Sequence, residues 1–443
     1  MTLSEAEISI AAKPLDEALV PFMKRFPGNA GERQPVHTVY GGAHLFKSDT
    51  TRKLGEVAIR FLDEYGRDGE TFTRAIGTGE AFADAIWMRV VDKLTREPVE
   101  DFRIDFEDGY GNRPDAEEDG HAAAAASEVA KGMRENTISP FIGIRIKPFT
   151  QELMRRSIRT MDIFLTTLLQ ESGGTLPDGF VITLPKIQLP EQVTLLADLF
   201  DMLEPRLGLA TNTLRLEFMI ETTQSILSER GESNLPRFLD AARGRAVAAH
   251  FGTYDYTASC NITAAEQRMD HPSCDFARHM MQVAYSGTGL WLSDGATNIM
   301  PIPPNRGENL NSQQIADNHA VVHRAWKLHV DHIRHSLVHA YYQGWDLHPA
   351  QLPTRYAAVY AFFLEGLGPA TERLRNFMEK AGQATLVGDV FDDAATGQGL
   401  LNYFIRGMNS GALTESEALA TGLTLEELRS RSFVKILKGR RGG

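Results

Sequence analysis

The sequence predicts a (β/α)₈ barrel with a helical C-terminal extension. Strand-like runs alternate regularly with helix-like runs, and eight such pairs lie between about residues 36 and 367. Regular alternation implies parallel strands joined by crossover helices, and eight units favour a closed barrel. A doubly wound open sheet is the alternative, because it is built from the same βα units.

Each predicted strand is short and ends near polar residues. In chain order the strands are VHTVYGG, FRIDFEDGY, PFIGIRIKP, GFVITLPKI, LRLEFMIE, AVAAHFGTYDY, LWLSDGATNIMPIP and WDLHPAQL. They are rich in β-branched and aromatic residues, which fit a pleated surface. The run after each strand has the apolar spacing of a helix, for example EQVTLLADLFDMLE after the fourth strand, so that each pair forms one βα unit.

Three further segments complete the predicted organisation. Residues 1–35 form an N-terminal helical segment, and the barrel at residues 36–367 carries an insertion at about 68–100. The insertion, with GETFTRAIGTGEAFADAIW at its centre, is expected to form a loop and a helix beside the site. In the C-terminal extension, residues 368–443, TESE and TLEE have the pattern of helix starts.

Composition indicates a soluble globular protein of the cytoplasm. Of the 443 residues, 42% are hydrophobic and 23% are charged, and the formal net charge is -12. An acidic chain whose only basic cluster is the short segment KILKGRRGG, residues 435–443, is unsuited to nucleic acid, whose phosphates require lysine and arginine. The sequence contains neither a secretory signal nor a run of 18 apolar residues, so that we expect no membrane partner.

Polar side chains close successive predicted strands, and the reacting groups of a (β/α)₈ barrel lie at those ends. Two carboxylates on neighbouring strands suit a hard cation such as Mg²⁺, and an arginine nearby binds a carboxylate or polarises a carbonyl. A single strand-end acid often caps a helix instead, so the repetition over successive strands carries the prediction. The strand-end residues are Asp105, Glu107, Asp108, Arg145, Lys147, Lys186, Glu221, Asp255 and His348.

The fifth strand carries two acids on one face. In LRLEFMIE, Arg215, Glu217 and Glu221 share the face opposite Leu216 and Phe218. We predict that Glu221 lies at the rim of the site. Glu217 lies one level deeper, where a buried acid needs a partner such as Arg215 or a residue of a neighbouring strand.

The motifs and their order resemble the HpcH/HpaI aldolase and citrate lyase β-subunit family. The resemblance covers about residues 36–406 and departs from the family pattern at Lys147, where the family usually has asparagine. It implies a barrel of the phosphoenolpyruvate/pyruvate type. The matching motifs are IDFEDGY, RIK, LPK, MIETT, FGTYDY, HPAQ and GDVFDD.

The resemblance also implies a metal and substrate site. Glu221 and Asp255 would ligate Mg²⁺ or Mn²⁺, and Arg145 would face a keto acid or thioester carbonyl. Thr222 and Gly252 would contact the substrate.

Three acids join Arg145 as catalytic residues by the same resemblance. Glu107 and Asp108 would line the site and hold metal-bound water, and Asp108 is a candidate proton acceptor. Asp392 matches a C-terminal acid that reaches the site from a neighbouring subunit in some relatives. We therefore expect a homo-oligomer.

The expected function is a divalent-metal-dependent carbon-carbon lyase, of the aldolase or citrate/malyl-CoA lyase type. Its substrate would be a 2-keto acid or an acyl thioester, and whether coenzyme A is used stays open. A malate-synthase-like condensation or an enzyme handling phosphoenolpyruvate is the nearest alternative. A non-catalytic barrel that binds a small acid is the alternative of another class.

Two further features receive a structural interpretation. Lys186 could form a Schiff base, but the metal pair makes this unnecessary. The segment HAVVHRAWKLHVDHIRHSLVH resembles a row of metal ligands, yet its histidines point around a helix and are expected to be packed or solvated.

Overall fold

Eight parallel strands close into a barrel in the computed structural model, with each strand paired to its neighbours in chain order. The first strand also pairs with the eighth, which closes the barrel and excludes an open sheet. The predicted fold class is therefore confirmed. The strands are β1 (His37–Gly42), β2 (Asp101–Asp105), β3 (Phe141–Arg145), β4 (Val181–Leu184), β5 (Arg215–Ile220), β6 (Ala246–Phe251), β7 (Trp291–Ala296) and β8 (Gln343–Asp346).

The structure describes residues 2–28, 32–379, 385–387, 390–392, 394–430, 432, 435–436 and 439–440. For residues 385–387, 390–392, 394 and 395 it describes the backbone only. Two short strands in this region, β9 (Thr385–Val387) and β10 (Val390–Asp392), form a separate antiparallel pair.

Helices follow the barrel strands and cover them from outside. None of the described helices is long and apolar enough to cross a membrane. The helices are α1 (Glu5–Arg25), α2 (Thr50–Tyr65), α3 (Gly69–Ile76), α4 (Ala83–Arg96), α5 (Asp115–Glu135), α6 (Met154–Ser172), α7 (Pro190–Arg206), α8 (Thr223–Ile226), α9 (Leu235–Ala241), α10 (Thr253–Ser259), α11 (Pro272–Tyr285), α12 (Ser312–Val338), α13 (Leu352–Glu379), α14 (Ala394–Asn409), α15 (Glu415–Leu419) and α16 (Leu425–Ser430).

Local sequence explains where several helices begin. The side chain of Asn311 caps α12 by accepting a hydrogen bond from the backbone N–H of Gln314. In turn, the side chain of Gln314 accepts a hydrogen bond from the backbone N–H of Asn311. The insertion forms α3 and α4, which pack against each other and against α12 and α13. The α3 helix begins where the side chain of Asp68 accepts from the backbone of Thr71.

The barrel interior changes in character from one end to the other. At the N-terminal ends of the strands, the rings of Phe141 and Trp291 lie 5.7 Å apart. In the middle, charged side chains replace apolar ones, and Glu217 is 1% exposed. At the C-terminal ends the interior opens towards the strand-end residues that the sequence singles out.

The middle layer is a network of ionic and polar contacts around Glu217. Its carboxylate accepts hydrogen bonds of 2.8 Å from both Nε and Nη2 of Arg103, and a further one from the Thr183 hydroxyl. His250 Nε2 lies 3.0 Å from the same carboxylate. The predicted neighbouring-strand partners are thus present on β4 and β6, but Arg215 is not one of them. The main partner, Arg103, reaches across the barrel from β2.

This network determines the charge state of Glu217. Burial opposes ionisation of the carboxyl, but the positive charge of Arg103 and the nearby His250 hold its pKa well below its usual range. Arg103 also bonds Asp101, so that both acids share one guanidinium. The middle layer therefore fastens β2, β4, β5 and β6 together.

Candidate functional site

Four carboxylates surround Lys186 at the C-terminal end of the barrel. Its Nζ bonds Glu107 Oε1 and lies 3.2 Å from Asp108 Oδ2 and 3.5 Å from Asp255 Oδ2. Its backbone N–H donates to Glu221 Oε1 over 2.7 Å. The structure thus brings together four of the acids that the sequence predicts for the site.

Lys186 is the central residue of this arrangement, and sequence reasoning gave it no role. Its φ of 51° lies in the left-handed region, which a lysine adopts at a cost. This backbone directs the N–H towards Glu221 while the side chain reaches Glu107. Burial opposes protonation of the amine, but Glu107 and Glu221 raise its pKa, so the amine stays charged and is a poor Schiff-base nucleophile. The only signal in the sequence is its position directly after the strand, in LPK.

Glu221 follows β5 and is 2% exposed. Burial raises the pKa of its carboxyl well above the usual range, and the nearby Asp255 raises it further, while Lys186 opposes both effects. Two carboxylates that contact the same lysine, with one of them out of water, form an arrangement that a cation would stabilise.

Gly252 makes room for Glu221. A Cβ at this position would lie 2.5 Å from Glu221 Cβ and 2.6 Å from its Oε2, which is closer than side-chain atoms approach. The backbone φ of -97° suits any residue, so the requirement is for space. Substrate contact by Gly252 stays a prediction, and its contact with Glu221 explains why a glycine stands here.

Asp255 lies in the first turn of α10 and not at the end of the preceding strand. The predicted strand AVAAHFGTYDY ends at Phe251, because GTYDY turns directly into the helix. Asp255 is 41% exposed and carries its negative charge at the positive end of the helix dipole. The extended strand was wrong here, yet the helix still places the carboxylate against Lys186.

Arg145 is held in one orientation beside Glu107. Its Nε and Nη2 donate to the two carboxylate oxygens of Asp105 over 2.7 and 2.6 Å. The guanidinium carbon lies 4.7 Å from the ring centre of Tyr40 and 5.4 Å from that of Trp345. Such a bidentate, stacked guanidinium has little freedom, so its remaining nitrogen is preorganised.

Three buried donors in this cluster lack a hydrogen-bond partner among the described residues. They are Arg145 Nη1, Tyr40 Oη and Trp345 Nε1. Arg145 Nη1 lies 3.2 Å from Glu107 Oε2, but without hydrogen-bond geometry. Unpartnered buried donors are costly and uncommon, and here they indicate a place for oxygen atoms of a ligand. Sequence reasoning missed Tyr40 and Trp345, although both sit in predicted strands.

Asp105 and Glu107 support the site from below and from the side. Besides Arg145, Asp105 accepts hydrogen bonds from the backbone of Glu107 and Gly109 over 3.0 and 2.7 Å, which shapes the loop after β2. Both carboxylate oxygens of Asp105 are therefore engaged in hydrogen bonds within the chain. Burial raises the pKa of Glu107, and Arg145 and Lys186 oppose this.

Lys147 turns away from the site. Its Nζ donates to the carbonyl of Phe106 over 2.5 Å and lies 3.0 Å from Glu118 Oε2 on α5. The departure from the family pattern at Lys147 therefore leaves the predicted metal ligands untouched.

The other predicted residues have separate positions. Thr222 caps α8: its hydroxyl accepts from the Ser225 backbone over 3.1 Å and donates to the Ile187 carbonyl over 3.1 Å. Substrate contact by Thr222 stays a prediction. The backbone of Asp392 ends β10, but its side chain lies outside the described residues. His348 caps the turn after β8 by accepting from the Ala350 backbone.

A divalent cation of the magnesium type fits the acids on chemical grounds. Mg²⁺ binds proteins through one or two carboxylates and keeps its other positions for water and substrate. Glu221 and Asp255 offer oxygen donors only, and the pKa of Glu221 is raised by burial first and by the nearby Asp255 second, both of which a bound cation would offset.

Comparison with solved structures finds proteins that are similar to this chain. A citrate lyase from Burkholderia xenovorans LB400 is 18% identical, with 88% of this chain and 97% of that chain covered and a TM-score of 0.57. The protein CitE from Mycobacterium tuberculosis, in complex with magnesium, acetoacetate and coenzyme A, is 14% identical over 85% and 97% of the two chains, with a TM-score of 0.46. The malate synthase of Haloferax volcanii, in a complex with magnesium and glyoxylate, is 15% identical over 91% and 96%, with a TM-score of 0.42.

The Burkholderia structure confirms the predicted resemblance to citrate lyase proteins at the level of the fold. The search of curated proteins finds no match. A family model described as a domain of unknown function, DUF6986, matches residues 15–436. Because this match spans nearly the whole chain, the protein belongs to the DUF6986 family.

Proposed function

We propose that this protein is a divalent-metal-dependent enzyme that makes or breaks a carbon-carbon bond beside the enolate of a 2-keto acid or acyl thioester. One observation carries the proposal. The carboxylates of Glu221 and Asp255 both lie against Lys186, and Glu107 connects this lysine to Arg145, whose Nη1 has no hydrogen-bond partner among the described residues. The first arrangement suits a cation and the second suits the oxygen atoms of an anionic substrate.

Glu221 and Asp255 would hold Mg²⁺ or Mn²⁺. When bound, the ion would supply Lewis-acid stabilisation of a negative oxygen. The residues of the chain supply the rest: Lys186 keeps Glu107 and Asp108 in place and contributes a fixed positive charge next to them.

Arg145 would bind and orient the substrate. Asp105 fixes the guanidinium on one side, and the rings of Tyr40 and Trp345 fix it on the other. Its free Nη1 would donate to a carboxylate or carbonyl oxygen. A donor held in place before the substrate arrives stabilises developing negative charge without reorganisation, which is where most electrostatic catalysis arises.

Asp108 is the proposed proton acceptor. Its side chain is 60% exposed, so that it exchanges protons with solvent, and it reaches the site through its contact with Lys186. Glu107 is 6% exposed and bonds Lys186, which suits it to holding the amine. Asp108 would take the proton released when the enolate forms and return it when the enolate collapses.

An apolar cavity beside the site bears on the substrate. It has a volume of about 180 Å³ and shares Tyr40 with the donor cluster. Its other lining residues include Leu45, Phe46, Leu54 and Leu347. The cavity supports a substrate with a hydrocarbon part, such as an acyl chain. Use of coenzyme A, a homo-oligomeric assembly and a role for Asp392 remain part of the proposal.

Proton exchange tests the proposal without knowledge of the second substrate. Pyruvate, acetoacetate, oxaloacetate and acetyl-coenzyme A are incubated with the protein and Mg²⁺ in D₂O, and the loss of the α-proton signal is followed by NMR. We expect exchange with at least one compound, its loss in Glu221→Gln and Asp255→Asn, and its retention in Glu229→Gln, whose side chain is 77% exposed.

Two results would contradict the proposal. Exchange that persists unchanged in Glu221→Gln would show that the proposed metal ligands are not needed for the reaction. Binding of these acids by the wild type without any exchange would favour a non-catalytic barrel.

A further inference from the structure

A second group of ligand-type side chains lies outside the barrel, between α11 and α12. Asp275 from α11, His335 from α12 and His339, which directly follows α12, each place one donor atom within 4.8 Å of the others. Within the described part of the chain, no other three side chains from His, Cys, Asp and Glu converge in this way. All three are half-buried, which leaves the group open to solvent ions.

The spacing along the two helices creates this convergence. His335 lies in the last turn of α12 and His339, four residues on, is its C-cap, so that their ring centres are 4.4 Å apart. Asp275 and His279 have the same spacing on α11. The exposed His279 ring lies 5.6 Å from that of His339.

The hydrogen bonds already orient the donors. His339 Nδ1 lies 2.8 Å from the carbonyl oxygen of His335. Because a carbonyl can only accept, Nδ1 carries the proton and Nε2 is left as the unprotonated donor. This is the arrangement in which a backbone carbonyl fixes the tautomer of a metal-binding histidine. His335 Nε2 lies 2.8 Å from Asp275 Oδ1, so that a second imidazole faces the carboxylate. The same oxygen accepts a hydrogen bond of 2.8 Å from Arg278 Nη2, which holds the carboxylate in place and leaves Oδ2 for a cation.

The remaining histidines of α12 differ from this pair. His329 is fully buried between Thr354 and Asp346, and His332 bonds Thr297. His323 bonds the carbonyl of Tyr65. The rings of these three histidines are packed, as the sequence predicts. His335 and His339, in contrast, face Asp275 of α11.

We propose that Asp275, His335 and His339 bind a divalent cation of the zinc type, separate from the cation site in the barrel mouth. Imidazole nitrogen selects Zn²⁺, Ni²⁺, Cu²⁺ and Co²⁺, whereas Mg²⁺ prefers oxygen. Two histidines and one carboxylate leave a fourth position, which water or the exposed His279 fills. Because the donors come from two helices, the ion links α11 to α12.

Cobalt absorption tests the site on the full chain. Mg²⁺ in excess first occupies the barrel mouth, Co²⁺ is then titrated while its visible absorption is recorded, and Zn²⁺ is added to displace it. We expect saturable binding with one Co²⁺ per chain. We expect His335→Ala and His339→Ala to weaken it by at least about tenfold, because loss of even an outer-shell partner costs about 10-fold to 100-fold.

Two controls separate this site from its alternatives. His319→Ala removes one member of another pair at the same spacing on α12, with ring centres 5.4 Å apart, and should bind Co²⁺ as the wild type does. Glu221→Gln should do the same. Where an alanine variant fails to fold by circular dichroism, His339→Gln and Asp275→Asn take its place, and we expect the same loss.

Three results would overturn the proposal. The wild type could show no saturable binding of Co²⁺ or Zn²⁺. Binding could be equal in the His335 and His339 variants and in the wild type. Binding could be lost in Glu221→Gln and kept in the histidine variants, which would place the ion in the barrel mouth.

Discussion

Glu217 lies within β5 and Glu221 directly follows this strand, at the mouth of the barrel. Both side chains are almost completely buried. Their environments move the two pKa values in opposite directions. Arg103 and His250 lower the pKa of Glu217 well below the usual range although burial opposes this. Burial and Asp255 raise that of Glu221 well above it.

The difference separates a structural layer from a functional one. Around Glu217, Arg103 makes two hydrogen bonds to the carboxylate and compensates its charge. Around Glu221, several carboxylates share the single amine of Lys186, and buried donors near Arg145 lack partners. An incomplete arrangement of this kind is costly to the fold, and such costs are characteristic of sites that bind something else.

The largest expected effect on stability comes from opening the lower layer. Glu217→Gln leaves Arg103 buried without its main counter-charge, so we expect the free energy of unfolding to fall by about 3–5 kcal/mol. Urea denaturation followed by circular dichroism measures the change. A loss below about 1 kcal/mol, the size of a surface pair, would mean that the network is not structural.

The same layer should give the protein a distinct acid sensitivity. Because the folded pKa of Glu217 is depressed, its stabilising contribution is present above the pKa of the unfolded chain and is lost as the pH falls through the folded value. The wild type should lose stability on acidification more steeply than Glu217→Gln. Parallel slopes for the two proteins, measured by urea denaturation at a series of acidic pH values, would contradict this.

Crowding of Glu221 should have an intermediate effect. In Gly252→Ala the new methyl group meets Glu221, so we expect a loss of about 1–3 kcal/mol and weaker cation binding. Gly120→Ala is the matched control, since a Cβ there meets nothing within 4 Å and α5 gains helix propensity. An equal response of the two variants would show that Glu221 is not confined.

Removal of the central amine should have the smallest effect on stability. Lys186→Met leaves Glu107, Asp108 and Asp255 without the positive charge of the amine. We expect the free energy of unfolding to fall by about 1–2 kcal/mol in metal-free buffer. Added Mg²⁺ should restore more stability in this variant than in the wild type, because the ion replaces the missing positive charge. Thermal denaturation with EDTA and with Mg²⁺ measures both, and an identical response to Mg²⁺ would contradict the expectation.

The sequence was sufficient to predict the barrel, because its strand-like runs alternate with helix-like runs over eight repeats. It was also sufficient for the positions of Glu221 and Arg145, since both directly follow or end a strand and the barrel topology brings strand ends together. These predictions depend on local patterns and on one rule of topology.

Other features depend on contacts that no local pattern encodes. The partner of Glu217 is Arg103, which comes from a strand across the barrel. The central position of Lys186 requires a left-handed backbone at a residue type that seldom adopts it. The placement of Asp255 depends on where a strand changes into a helix, and boundaries of that kind are set by tertiary packing.

The central claim is that the Glu221 level of the barrel binds a divalent cation whereas the Glu217 level only holds strands together. Isothermal titration of Mg²⁺ into Glu221→Gln, with the fold checked by urea denaturation, tests it most directly. The prediction is a variant that is at least as stable as the wild type and that has lost Mg²⁺ binding. A folded Glu221→Gln protein that binds Mg²⁺ with unchanged affinity would contradict the claim.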